Sequence, residues 1–444
     1  MKKQIAAGLA CYIMASSAQA DVVIGNPMAV TGPIPDLVAP MLPAVDLAAK
    51  HVNEQGGLFA SGEKLVIARA DSQCDPVAAV DAVTKLVNVN MATAIVGPVC
   101  SGATIAQAES VSIPAGVVTL SVSASSPAIS NMENGTDLVF RAAASDAYQG
   151  VALAELAMSK GIKDIAVSYA NDDYNAGIAE VFVKAYSEMG GNVTANEVHE
   201  PNKASYRSEV ATMGAGSDNM ALFAYYGSGG ITIMRNALET GAFSTFIGAD
   251  GMLAQEVIDQ IGAENLGSTT FTTSASDQST SGFSAWKAVA DEGGIADAGA
   301  PFVPNSYDAT FMMALAIEKA GSADRSAISS ALRSIANAPG EVILPGEFAK
   351  AKAILAAGGD IHYSGAAGPQ DFDENGDVAG FFSATFSSFI GAAASASFAG
   401  FSSTAFSSFL GASSVLAAFA SSLSFPLFFS LLRSSKPSAT ALVT

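Results

Sequence analysis

The chain has 444 residues, half of them apolar and only 14% charged, with a formal net charge of −20. So acidic a surface repels nucleic acid and anionic membranes, which sets aside a nucleic-acid binder. The length leaves room for two ordinary domains, and the apolar fraction for a sizeable core.

Residues 1–20 open on MKK, run through the apolar IAAGLACYIM and end on AQA. This is the pattern of a secretory signal peptide cut before Asp21. Cys11 lies inside it, and GLAC is a poor lipobox, so no lipoprotein is expected. Cleavage removes Lys2 and Lys3 and leaves Cys74 and Cys100 in a chain sent to an oxidising compartment. Two cysteines there most often pair. A catalytic thiol would want a nearby histidine, yet His51, His199 and His362 sit in no recognisable motif, and a zinc site would want more ligands.

From Asp21, β-rich runs alternate with helical ones. DVVIGNPM, KLVIARADS, ATAIVGPV and GVVTLSVSA read as strands; APMLPAVDLAAKHVNEQGG, DPVAAVDAVTKLVNV and SGATIAQAESV between them read as helices. The pattern restarts near Val139, with strands KDIAVSYAND, NVTANEVHE, MALFAYYG and STFIGADG around the helices AGIAEVFVKAYSEMG, SYRSEVATMGA and GITIMRNALETG. Such alternation builds parallel sheets flanked by helices. Two successive units of this α/β kind predict two Rossmann-like lobes with a cleft between them. Ligands in such folds sit at the carboxyl ends of the strands. The stretch IVGPVCSGAT lies at one of those ends, and the helix after it offers free N–H groups suited to a carboxylate.

DSQCDPVAAV, VGPVCSGAT, TLSVSASSPAIS, ANDDYNAG and FIGADG, in that order, resemble the periplasmic binding proteins for branched-chain amino acids and related amides, the type I solute receptors of ABC importers. The resemblance runs from about Asp21 to Phe382. It implies a hinged two-lobed fold and a disulfide between Cys74 and Cys100. It also implies that Ser101 holds a ligand carboxylate, and that Ser123 and Ser125 supply a carbonyl and a hydroxyl to the ammonium and carboxylate. Tyr174 would close over the ligand from the second lobe, and Asp250 would pair with the ammonium. Without the resemblance, Ser101 is a candidate helix N-cap, Tyr174 a surface turn residue and Asp250-Gly251 a turn pair. A zwitterion does need hydroxyls and helix-end N–H groups at one end and a carboxylate at the other.

The chain departs from the family pattern near the ligand. Leu37-Val38 stands where many relatives carry Tyr-Gly, Asp250 replaces a longer glutamate, and Ser228-Gly229-Gly230 follows YYG. These changes leave the ligand open among a branched-chain amino acid, another amino acid, an amide or urea. Elsewhere, DFDENGD (371–377) imitates the start of a calcium loop, but Phe382 occupies the position of the bidentate glutamate and Asn375-Gly376 is a strong hairpin turn. No nucleophile elbow or phosphate loop appears. The expectation is a non-enzymatic protein with neither cofactor nor metal.

Between Val378 and Leu432 no residue is charged, and TFSSFIGA (385–392) nearly recurs as AFSSFLGA (405–412). An aberrant end, a membrane anchor over 409–432 and a folded extra element are the competing readings. The expected organisation is a signal peptide (1–20), first lobe (21–140), second lobe (141–270), first lobe again (271–345), a return segment to the second lobe (346–383) and a Ser/Ala/Phe-rich tail (384–444). The expected function is a periplasmic, monomeric solute-binding protein that delivers an amino acid or amide to an inner-membrane ABC permease. A ligand-sensing receptor ectodomain is the alternative.

Overall fold

The computed structural model describes residues 20–132 and 137–386. The expected signal peptide up to Gln19, with Cys11, and the tail beyond Phe386, which holds most of the repeat and all of the anchor reading, lie outside the described residues.

The first unit begins with β1 (Val22–Met28), α1 (Pro35–Val38), α2 (Met41–Glu54), β2 (Leu65–Asp71) and α3 (Pro76–Asn88). It continues through β3 (Ala94–Val96), α4 (Ser101–Gln107), β4 (Thr119–Ser121), α5 (Pro127–Ser130) and β5 (Val139–Arg141). The strands form one parallel sheet in the order β2-β1-β3-β4-β5. Every residue of β3, β4 and β5 is buried, as expected of strands covered by helices on both faces. Local chemistry sets the ends: Asp75 caps α3 by accepting from the Ala78 N–H, and Pro76, which has no N–H to satisfy, fills the first helical turn.

The second unit runs α6 (Asp146–Ser159), β6 (Asp164–Ala170), α7 (Asp173–Glu188), β7 (Asn192–His199) and α8 (Arg207–Met213). After these come β8 (Asn219–Phe223), α9 (Gly230–Thr240), β9 (Thr245–Ala249), α10 (Gln255–Ile261) and β10 (Thr269–Ala275). Its sheet repeats the first unit's order as β7-β6-β8-β9-β10 and adds one antiparallel strand beside β10. That strand is the last element of the remaining chain: α11 (Ser281–Gly293), α12 (Val303–Ala320), α13 (Arg325–Ala336), β11 (Glu341–Ile343), α14 (Phe348–Ala356), β12 (Ile361–Tyr363) and β13 (Phe381–Phe386).

The structure moves three expected boundaries. Residue 270 falls inside β10, so the second sheet runs on to Ala275. The segment 346–383 does not return directly to the second unit: Phe348 and Ala351 of α14 join the core around α12, and β12 pairs with β11. Only β13 crosses, and it extends past Ser383 into the stretch expected to be tail. The physical reason is apolar pairing, since Phe382 is buried against β10 in register with Ser274.

The first unit's core is built on α12, whose residues Val303 to Ile317 are all buried. Trp286 of α11 is fully buried there, its ring 4.9 Å from that of Tyr307 and its indole N–H donating to the Ala298 carbonyl.

Candidate functional site

In a sheet of order 2-1-3-4-5 the chain leaves the first strand in one direction and the third in the other, opening a crevice at their carboxyl ends. Both sheets have this order, and the two crevices face each other across one narrow cavity. Ile34 and Leu37 reach it from behind β1, Val99 to Ser101 from behind β3, and Ser123 and Ser125 from behind β4. Opposite stand Tyr174 after β6, Tyr225 after β8 and Asp250 after β9. The five residues expected at the site, Ser101, Ser123, Ser125, Tyr174 and Asp250, therefore line one cavity.

Their hydrogen bonds refine what each can offer. Cys100, not Ser101, is the N-cap of α4, and it makes no side-chain cap bond; Ser101 is the first helical residue. The Ser101 hydroxyl accepts from the Ser125 and Ser126 N–H groups at 3.3 and 3.1 Å, which leaves its own proton free for an acceptor. The Ser123 hydroxyl is engaged with the Val99 carbonyl at 2.9 Å. Ser125 donates to Asp146 at 2.9 Å, so it offers the cavity a lone pair and suits an N–H donor better than the carboxylate assigned to it above.

Asp146 was not among the expected residues. It opens α6, is fully buried behind Ser125, and its Oδ1 has no hydrogen-bond partner. Burial raises its pKa well above the ordinary value, with the nearby Asp250 charge as the next cause. Asp250 is also raised, again chiefly by burial, although the Gln149 amide donates to its Oδ1 at 3.0 Å. Tyr225 and Phe302 were likewise missed. Tyr225 stacks on Tyr174 with ring centroids 5.4 Å apart. Burial, followed by the charge of Asp250 for Tyr174 and of Asp172 for Tyr225, holds both hydroxyls well above their ordinary pKa, so they stay protonated donors. The buried Tyr174 hydroxyl lies beside Asp250 with no partner in hydrogen-bond geometry. Local sequence explains its placement: the Asp172 carboxylate caps α7 by accepting from the Tyr174 and Asn175 N–H groups. Phe302 lines the cavity in the left-handed conformation, at φ 61°, just ahead of α12. Among the described residues, no lysine, arginine or histidine lines the cavity.

Cys74 and Cys100 form a disulfide with Cα atoms 5.3 Å apart, which ties the loop after β2 to the start of α4. The calcium-like stretch spends Asp373 and Asp377 on the protein itself. Asp373 accepts from the Asn375 and Asp377 N–H groups, and Asp377 pairs with Arg141.

Two parallel-sheet units closing on a buried cleft define a type I periplasmic binding protein. The sequence of the receptor family ligand binding region matches residues 40–383. The Leu/Ile/Val-binding protein BraC3 of Rhizobium johnstonii is 30% identical over 339 residues, 75% of this chain and 89% of that protein. The chain belongs to this branched-chain amino acid-binding family, whose members bind solutes and are not enzymes. Among solved structures, a Streptococcus pneumoniae branched-chain amino acid transporter substrate binding protein in complex with isoleucine superposes with a TM-score of 0.67 at 21% identity, covering 82% of this chain and 96% of that one. An R. palustris solute binding protein in complex with benzoate gives 0.64 at 15% identity, covering 82% and 93%.

Proposed function

We propose that this protein is the periplasmic solute-binding component of an ABC importer, acting as a monomer that hands a small amine-bearing ligand to an inner-membrane permease. The ligand is an α-amino acid with a compact apolar side chain, or a related amide. One observation carries the reading: two buried carboxylates, Asp146 and Asp250, serve a cavity that no basic side chain lines. Such a site favours an ammonium and disfavours an aromatic acid, whose anion would meet two like charges.

The remaining groups fit the rest of an amino acid. The Ser101 proton and the N-terminal end of α4 suit its carboxylate. The lone pair of Ser125, with Asp146 behind it, suits the ammonium together with Asp250. Ile34, Leu37 and Phe302 give an apolar wall for the side chain. Capture proceeds by population shift. An open form binds through the serines of the first unit, and the closed form is favoured by the added contacts of Tyr174 and Asp250.

Calorimetric titration of refolded, ligand-stripped protein with leucine, isoleucine, valine, short amides, urea and benzoate tests this. The expected result is saturable, micromolar or tighter binding of an amino acid or amide, silence with benzoate, and loss of binding in Asp250→Ala. Binding of benzoate, or no binding by demonstrably folded protein, would overturn the reading.

A further inference from the structure

The acidic stretch 371–377, which resembles a calcium loop, lies between β12 and β13 on the segment that crosses from the first unit to the second. Its turn packs tightly on β5: Arg141 donates its N–H to the Gly376 carbonyl at 3.1 Å, and a Cβ on Gly376 (φ 82°) would stand 2.6 Å from the Val139 oxygen. What the turn grips is a guanidinium. Arg141 is fully buried, with Nε 2.6 Å from Asp377 Oδ1 and Nη2 2.8 Å from Oδ2, the planar two-pronged match that arginine alone provides. Ser130 adds its hydroxyl to both partners, accepting from Nη2 at 2.5 Å and donating to Asp377 at 2.7 Å.

The free prong of Arg141 reaches the ligand loop. Nη1 donates to the Ser126 carbonyl at 2.9 Å, while the Ser126 N–H donates to the Ser101 hydroxyl at 3.1 Å. Both backbone groups of Ser126 are thus held, one by a cavity-lining serine and the other by Arg141. We infer that Arg141, latched by Asp377, is a positioning residue that fixes the Ser125–Ser126 loop for ligand and ties it to the crossing segment. This rests on the cleft being the ligand site. A loop free to move by a fraction of an ångström would present the Ser125 lone pair and the Ser101 proton in less favourable geometry, and affinity would fall although neither Arg141 nor Asp377 lines the cavity.

The test joins amide hydrogen exchange on ligand-free protein to calorimetric titration with leucine, for the parent, Asp377→Asn and the milder Ser130→Ala. The expected result is exchange at the Ser125 and Ser126 amides about tenfold faster in Asp377→Asn, with β3 and β4 still protected, and leucine affinity lower by about tenfold. Ser130→Ala moves both in the same direction by less, and decides the matter if Asp377→Asn does not fold. Unchanged exchange at Ser125 and Ser126, faster exchange spread evenly over the first unit, or parent-like leucine affinity in a variant whose loop exchanges faster would each overturn the inference. Should the parent itself fail to bind leucine, that counts against the proposed ligand, and the exchange data still decide whether Arg141 holds the loop.

Discussion

A carboxylate buried behind a hydroxyl, as Asp146 is behind Ser125, titrates far from its ordinary value. Burial is the largest cause and the Asp250 charge the next, while the Ser125 hydrogen bond and the Arg141 charge pull the other way. A ligand ammonium favours the ionised form, whereas acid favours the neutral one. Leucine affinity therefore falls as pH drops from neutrality, beginning well above the 3.8 of an ordinary aspartate. Asp146→Asn, acting through the Ser125 hydroxyl it holds, weakens binding by about 1 kcal/mol and flattens this dependence. Without ligand, the sign for stability is opposite. A folded pKa raised above the unfolded one makes ionisation at neutral pH a cost, so ligand-free Asp146→Asn melts above the parent. Titrations at about pH 7, 6 and 5, with melting curves at neutrality, check both signs. Asp146 was silent in the sequence because Ser145-Asp146 reads as an ordinary helix start, and Ser145 is indeed the N-cap of α6. Its burial and its approach to Asp250 are long-range facts that no local pattern carries.

At the level of elements, glycines mark where the two units touch. A Cβ on Gly227 would stand 2.6 Å from the Pro33 carbonyl oxygen of the first unit, and the Gly227 N–H donates to that oxygen at 3.2 Å. Beside it the Asp36 N–H donates to the Tyr226 hydroxyl at 3.0 Å. A Cβ on Gly177 of α7 would stand 2.9 Å from the Ser126 hydroxyl oxygen. Because the obstacle at Gly227 is backbone of the opposite unit, Gly227→Ala acts against closure and spares each unit's own packing. Leucine affinity should drop about tenfold or more while the unfolding free energy stays within about 0.5 kcal/mol, with solution scattering showing a larger radius of gyration in saturating leucine. In the sequence Gly177 lies inside a run read as a helix and Gly227 ends a run read as a strand, and nothing local marks either as a contact between units. Most of the alternation up to β9 was legible, because central parallel strands buried on both faces, such as β3, β6 and β8, leave apolar runs, whereas β5 and α6 were not. The path from α14 to β13 was not, since β11 and β12 are each only three residues long and β13 begins a Ser/Ala/Phe run that looks like low complexity.

For the whole molecule, β13 decides where a working chain can stop. It lies antiparallel along β10 from Ala275↔Phe381 to Thr270↔Phe386, covering an otherwise open edge of the second sheet. A chain ending after Phe386 should fold and bind leucine like the full chain. One ending after Gly380 loses that pairing and the buried Phe382 ring, whose removal alone costs roughly 3–5 kcal/mol. Circular dichroism melts of the two truncations should separate by several degrees or more, with leucine binding retained only in the longer. Trp286, the single indole of the chain, sits among the aromatic rings of the first unit's core, whereas the cleft between the units is walled by the tyrosine pair Tyr174 and Tyr225. Intrinsic fluorescence is thereby partitioned by residue type. Light absorbed only by the indole reports whether the first unit is folded, and light absorbed by the phenols also samples the cleft.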